Sequence, residues 1–188
     1  MKNVIIKAAI IFVIAPSCDN QGSKTTAQQA TVDSSKAAAS EQAAAPSISG
    51  IVSSYLQLKN AFAKDNSSSA AAAAASVKTA FESFNKKGLS EGQQKQFDDI
   101  QAEAIEHTEH ISKNGGNIEH QRGHFETLSD DMYDLVKIFG AGQTLYKDFC
   151  PMYNKGKGAS WISETKEIKN PYMGKAMSTC GIVKEEIK

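Results

Sequence analysis

Cys150-Pro151-Met152 opens a Gly- and Lys-rich stretch that closes on Met173, Met177 and Cys180. Two thiols and three thioethers in one irregular segment make a soft-donor set, which selects thiophilic metals, monovalent copper above all. In an oxidising compartment the same two cysteines can instead close a disulfide, and a loop of about 30 residues then contributes roughly 3–4 kcal/mol in the chain-entropy model. Ligand and staple are therefore both open readings of Cys150 and Cys180. Met173, Met177 and Cys180 are spaced i, i+4, i+7, so a helix starting at Pro171 places all three on one face. A methionine stripe at that spacing also serves as core packing. Met152 reaches the same point only from a loop.

Histidine supplies a second constellation. His107 and His110 close one expected helix and His120 and His124 open the next, with the Asn114-Gly115-Gly116 turn between them. All four imidazoles thus gather at one end of a hairpin, His107 on the apolar face, His124 at its edge, His110 and His120 toward solvent. His107 and His124 are the imidazoles added to the ligand set, with zinc as the alternative to copper, although two imidazoles need further ligands and partners. Arg122, the sole arginine, is expected to pair with helical carboxylates. Asp98-Asp99 and Asp130-Asp131 are sequence neighbours that diverge on a helix, not a general acid and base. No nucleophile elbow, phosphate loop or zinc-protease helix motif occurs, so no catalytic residue is nominated and the chain is read as a non-enzyme.

The elements that must position these groups follow from hydrophobic periodicity. Ile51, Tyr55, Leu58 and Phe62 share one face, and so do Val77, Phe81 and Phe84 behind the Ala70–Ala75 run. Phe97, Ile100, Ala104, His107 and Ile111 share a third, and Ile118, Phe125, Leu128, Met132, Leu135 and Phe139 a fourth. Helices are expected near 48–64, 68–86, 90–112 and 117–140, separated by short turns. The expected fold class is all-α, an antiparallel up-down-up-down four-helix bundle. The tail, 143–188, is expected to be irregular and partly extended at Thr144–Phe149 and Ala159–Ser163, packed on the bundle with Trp161 as its apolar anchor.

Upstream of this domain, 48–188, the chain changes character. Residues 1–17 read as a signal peptide: a Lys-bearing leader, then Ala8–Ala15, an apolar run shorter than the about 20 residues a membrane span needs. Ala15-Pro16-Ser17-Cys18 resembles a lipobox, which nominates Cys18 for lipidation and the membrane as a partner through that lipid. Residues 18–47 have too little apolar surface to fold and read as a disordered tether. The full chain carries 21 basic and 21 acidic residues. With no basic excess, nucleic acid is excluded as a partner.

Tyr55-Leu56-Gln57-Leu58-Lys59-Asn60-Ala61, Gln121-Arg122 with Phe125, Phe139-Gly140, Cys150-Pro151-Met152, Gly158-Ala159-Ser160-Trp161-Ile162-Ser163, Asn170-Pro171-Tyr172 and Met177-Ser178-Thr179-Cys180-Gly181 carry a resemblance. Together they resemble the domain-of-unknown-function 3347 family, from about Gly50 onward. Phe149 stands where the family pattern has a polar residue or His. The resemblance implies an exported helical domain of a Gram-negative bacterium, in the periplasm or anchored at the outer membrane. Similar domains occur fused to membrane-fusion adaptors of copper and silver efflux systems, which implies heavy-metal handling and an efflux adaptor as partner. The functional expectation is a lipid-anchored copper-binding accessory that buffers metal or passes it to efflux machinery. The alternative is a disulfide-stapled helical interaction module without metal.

Overall fold

A computed structural model describes residues 46–188. The expected leader, Cys18 and all but the end of the expected tether lie outside the described residues. The described chain is mostly helical, with four long helices: α1 (Ser49–Ala63), α2 (Ser67–Glu82), α3 (Glu91–Lys113) and α4 (Ile118–Phe139). Each lies within a few residues of its expected place.

Local chemistry explains where the helices start and stop. Asn66 accepts from the Ser69 N–H at the head of α2, and Asn117 does the same for His120 at the head of α4. Ser90 and Gln93 form a reciprocal capping box on α3. Gly140, at φ +72°, terminates α4 in a conformation open to a residue without Cβ. Consecutive helices pack on one another along their length. Ala70 and Ala74 bring the α2 backbone close to its neighbours, while Val77 and Phe81 fill the core beside them.

Aromatic rings occupy the centre. Tyr55 stacks on Phe125 at 5.4 Å between centroids, Phe62 meets the same ring at 5.0 Å, and Phe84 stacks on Phe97 at 4.3 Å. All but Phe84 are fully buried, and full burial of an aromatic side chain contributes about 1.5–3 kcal/mol.

The tail corrects the all-α expectation. It forms a three-stranded antiparallel sheet of order β2-β1-β3: β1 (Leu145–Cys150), β2 (Ala159–Ser163) and β3 (Ile182–Ile187). Cys150 pairs with Ala159 across β1–β2, and Phe149 pairs with Ile182 across β1–β3, with an irregularity at Lys147/Asp148. The connection from β1 to β2 turns through Asn154 and Lys155, both in the left-handed region at φ 49° and 57°. β1 and β2 arise where extended structure was expected. β3 was missed because five of its six residues retain solvent contact, so no alternating apolar pattern marks it, and its pairing is wholly non-local.

The sheet packs against the helices chiefly through β2 and α4. Trp161 is fully buried, with Tyr172 edge-on at 5.9 Å, in the anchoring role expected of it. From the other edge, Glu185 accepts from Tyr133 Oη at 2.8 Å and from Lys137 Nζ at 2.7 Å, fastening β3 to α4.

Candidate metal centres

Cys150 is the last residue of β1 and is fully buried, whereas Cys180 lies just ahead of β3 and is partly exposed. Their Sγ atoms are 3.1 Å apart and not bonded, so the fold brings together two thiols that are 30 residues apart in sequence. Asn170 holds this junction. Its Nδ2 donates to the Cys180 carbonyl at 2.6 Å, and its Oδ1 accepts from the Tyr172 and Met173 N–H groups at 2.8 and 2.9 Å. Gly181 follows at φ +148°, and a Cβ there would stand 2.9 Å from the Trp161 ring.

The two sulfurs differ electrostatically. Burial alone would push the Cys150 thiol up, but hydrogen bonds from Cys180, the Met152 N–H, the Asn170 side chain and the Tyr153 N–H together draw it below the usual thiol range. The Cys180 thiol is pushed up by its hydrogen bond to Cys150, then by burial. The hydrogen bonds therefore ease ionisation at Cys150 more than at Cys180, and the thiolate is the form that binds metal.

The methionines are placed less uniformly. The expected helix from Pro171 is not formed: a turn leads into a single 3-10 turn at Gly174–Met177. A 3-10 turn repeats every three residues, so Met173, Met177 and Cys180 lose the shared α-helical face. The cause is tertiary: Gly174 adopts φ +55° at a place where the Asp65 and Arg122 side chains occupy the space a Cβ would need. Met173 packs partly buried against the core, and the Met177 carbonyl accepts from the Cys180 N–H at 3.0 Å. The Met152 side chain is 56% exposed, while its N–H faces both sulfurs.

Arg122 does not pair with a helical carboxylate, as expected, but with Asp65 in the α1–α2 turn, at 2.6 Å. It also donates through Nη2 to the Phe62 carbonyl at 3.0 Å and through Nε to the Pro171 carbonyl at 2.7 Å. The other Asp65 oxygen accepts from the Lys175 N–H at 2.9 Å. This knot ties the end of α1 and the body of α4 to the segment that carries Asn170 and Cys180. Sequence alone concealed it, because two of its acceptors are main-chain carbonyls.

At the far end of α3 and the start of α4, all four histidines converge as expected. His107 Nδ1 is 3.1 Å from His124 Nδ1, and His110, His120 and His124 each bring one ring nitrogen within 4.8 Å of the other two. The sequence reading had nominated His107 and His124; the triad instead adds His110 and His120, which had been set aside as solvated. Their i, i+3 and i, i+4 spacings on adjoining helix ends were the signal that could have found them.

No curated protein and no solved structure matches this chain. The family model described as protein of unknown function, DUF3347, matches residues 51–144. That span runs from the first turn of α1 through α4 and stops before β1, so the cysteine-bearing tail lies beyond the matched part. Half of its length being matched, the chain belongs to the domain-of-unknown-function 3347 family.

Proposed function

We propose that this chain is a heavy-metal-binding accessory of the cell envelope that takes up monovalent copper between Cys150 and Cys180. The observation that carries the reading is the pair of unbonded thiols 3.1 Å apart, with hydrogen bonds that draw the Cys150 thiol down. A three- or four-coordinate ion with metal–sulfur bonds of about 2.3 Å holds its sulfurs about 3.8–4.0 Å apart. Loading therefore requires the sulfurs to part by somewhat under 1 Å, which partly exposed Cys180 can provide. Met152, two residues from Cys150 and largely exposed, is the thioether best able to swing in, with Met177 and Met173 as further donors.

In this reading the four helices form an up-down-up-down bundle that serves as a rigid platform, and the tail does the binding. Lipidated Cys18 and the tether hold the domain near a membrane, and captured metal is buffered or handed to an efflux adaptor. No catalytic step is assigned. Among the described residues no helix is long and apolar enough to cross a membrane.

A disulfide-stapled interaction module is the second reading, favoured by the same proximity, since closure to a disulfide asks for a comparable movement in the opposite direction. Copper competition separates the two. Reduced full-length chain is expected to take about one monovalent copper from a competing chelator, Cys150→Ser and Cys180→Ser each to abolish tight uptake, and Met152→Leu to weaken it without loss of fold. No uptake by the wild type, with equal and metal-independent destabilisation by the two Cys substitutions, would establish the staple instead.

A further inference from the structure

The imidazole cluster takes no part in the thiol site. It is built at the short turn where α3 ends at Lys113 and α4 begins at Ile118. Asn114 closes α3 with its Nδ2 on the His110 carbonyl at 2.7 Å, and Asn117 caps α4 on the His120 N–H at 3.1 Å. Both helix ends are thus fixed, and with them the Cα positions of the four histidines. His124 sits at the centre: its ring centroid lies 4.3 Å from that of His110, 4.7 Å from His120 and 5.3 Å from His107.

We infer that His110, His120 and His124 form a binding site for a divalent late first-row cation, zinc or divalent copper, separate from the thiol pair, with His107 as the partner that orients His124. The donor chemistry selects the class of ion. Neutral imidazole is a borderline ligand that suits zinc, divalent copper and nickel, and this site holds no thiolate or thioether to favour a monovalent ion. Its three nitrogens also leave a fourth position for water or an incoming ligand on the solvent side, as an open zinc site does.

The geometry is within reach of a metal. A tetrahedral ion with bonds of about 2.0–2.1 Å holds its nitrogens about 3.3–3.4 Å apart, so the present limit of 4.8 Å must contract by roughly 1.4 Å. His110 and His120 are exposed, so rotation about their side-chain bonds can supply that contraction without moving either helix. His107 and His124 are half-buried, and of the two donor assignments their 3.1 Å contact allows, metal binding requires the one in which His124 Nδ1–H donates to His107 Nδ1. His124 Nε2 then keeps its lone pair for the metal, the arrangement by which outer-shell partners orient ligating histidines.

The His110 and His124 rings stack with centroids 4.3 Å apart, a crowding that a shared cation would serve.

Zinc titration of the untagged full chain tests this, with Cys180→Ser as the background so that the Cys150–Cys180 thiol pair is broken. That protein is expected to bind about one zinc against a chromogenic chelator. His110→Asn and His120→Asn should each weaken binding at least tenfold, and His107→Gln should weaken it about tenfold by freeing the His124 ring. Both ligand substitutions are at exposed positions, so helical content and melting temperature should match the parent, which identifies any lost affinity as lost ligation. With divalent copper the site is expected to show nitrogen hyperfine coupling in its electron paramagnetic resonance spectrum. Should Cys180→Ser unfold, the wild-type background decides: the His110→Asn/His120→Asn double variant must bind one zinc fewer than the wild type. Undiminished binding by that double variant, or no zinc bound by the Cys180→Ser protein in its folded state, overturns the inference while leaving the thiol site untouched.

Discussion

Arg122→Met tests whether the bundle holds the tail in place. The arginine is only 9% exposed and makes three charge-assisted hydrogen bonds, to the Phe62 and Pro171 carbonyls and to Asp65. At about 1.5–3 kcal/mol for each hydrogen bond to a charged group, the gross value is roughly 5–9 kcal/mol. Much of this returns on substitution, because the Asp65 side chain is 35% exposed and regains water, and methionine refills most of the volume. A net loss of about 3–4 kcal/mol remains, similar to other deletions of one partner from a buried pair. With a urea slope of about 2 kcal/mol/M for a domain this size, the midpoint should fall by about 1.5–2 M. Pro171 adjoins Asn170, which grips the Cys180 carbonyl, so Cys180 should also react faster with a thiol reagent under native conditions. A midpoint within about 0.3 M of wild type, with unchanged thiol reactivity, would refute the view that this knot positions the cysteine-bearing tail.

Asp148 should impose a pH slope on stability. Burial, aided by Glu164 and opposed by Lys59, pushes its carboxyl up to about 7, and neither oxygen has a hydrogen-bond partner. The unfolded chain releases that proton near pH 4, so between about pH 4 and 7 the native state binds the extra proton and stability falls as pH rises. Asp148→Asn should therefore gain about 1–3 kcal/mol over wild type at pH 8 and little at pH 4, the upper limit being reduced by the cost of burying an unpaired amide. A difference in unfolding free energy that does not change with pH would contradict this. Gly174→Ala should cost about 2–3 kcal/mol in a thermal or urea melt, since φ is +55° and the new Cβ would stand 1.8 Å from Asp65 Oδ1. Gly50→Ala, where a Cβ meets nothing within 4 Å, is the control and should not destabilise; equal stability of the two variants would undo the strain argument.

How much of this was legible beforehand depended on how local each determinant is. Tyr55, Phe62, Phe81, Phe97 and Phe125 lie on apolar faces of helical spacing, and Asn66, Ser90 and Asn117 cap the starts of α2, α3 and α4, so helix positions could be read within a few residues. β3 could not, because Ile182 and Val183 remain exposed and only hydrogen bonds to β1 define the strand. Met173, Met177 and Cys180 have perfect helical spacing, yet Gly174 and the Arg122–Asp65 knot impose a different backbone. Cys150 and Cys180 were identified as a pair by residue type, and the fold brought them together. Asn170, which organises that junction, entered the sequence reading only as part of the Asn170-Pro171-Tyr172 motif. The histidines gather at one end of the α3–α4 hairpin, with His110 and His120 exposed, as their spacing and position on the helices led one to expect.

The central claim is that the tail binds copper through sulfur. X-ray absorption at the copper edge, on reduced full-length chain loaded with one equivalent of monovalent copper, addresses it most directly. The expected result is a first shell of sulfur only, about two thiolates with one thioether, which loses a sulfur in Cys180→Ser. A shell of nitrogen scatterers with the multiple-scattering pattern of imidazole, unchanged by Cys150→Ser or Cys180→Ser, would contradict it.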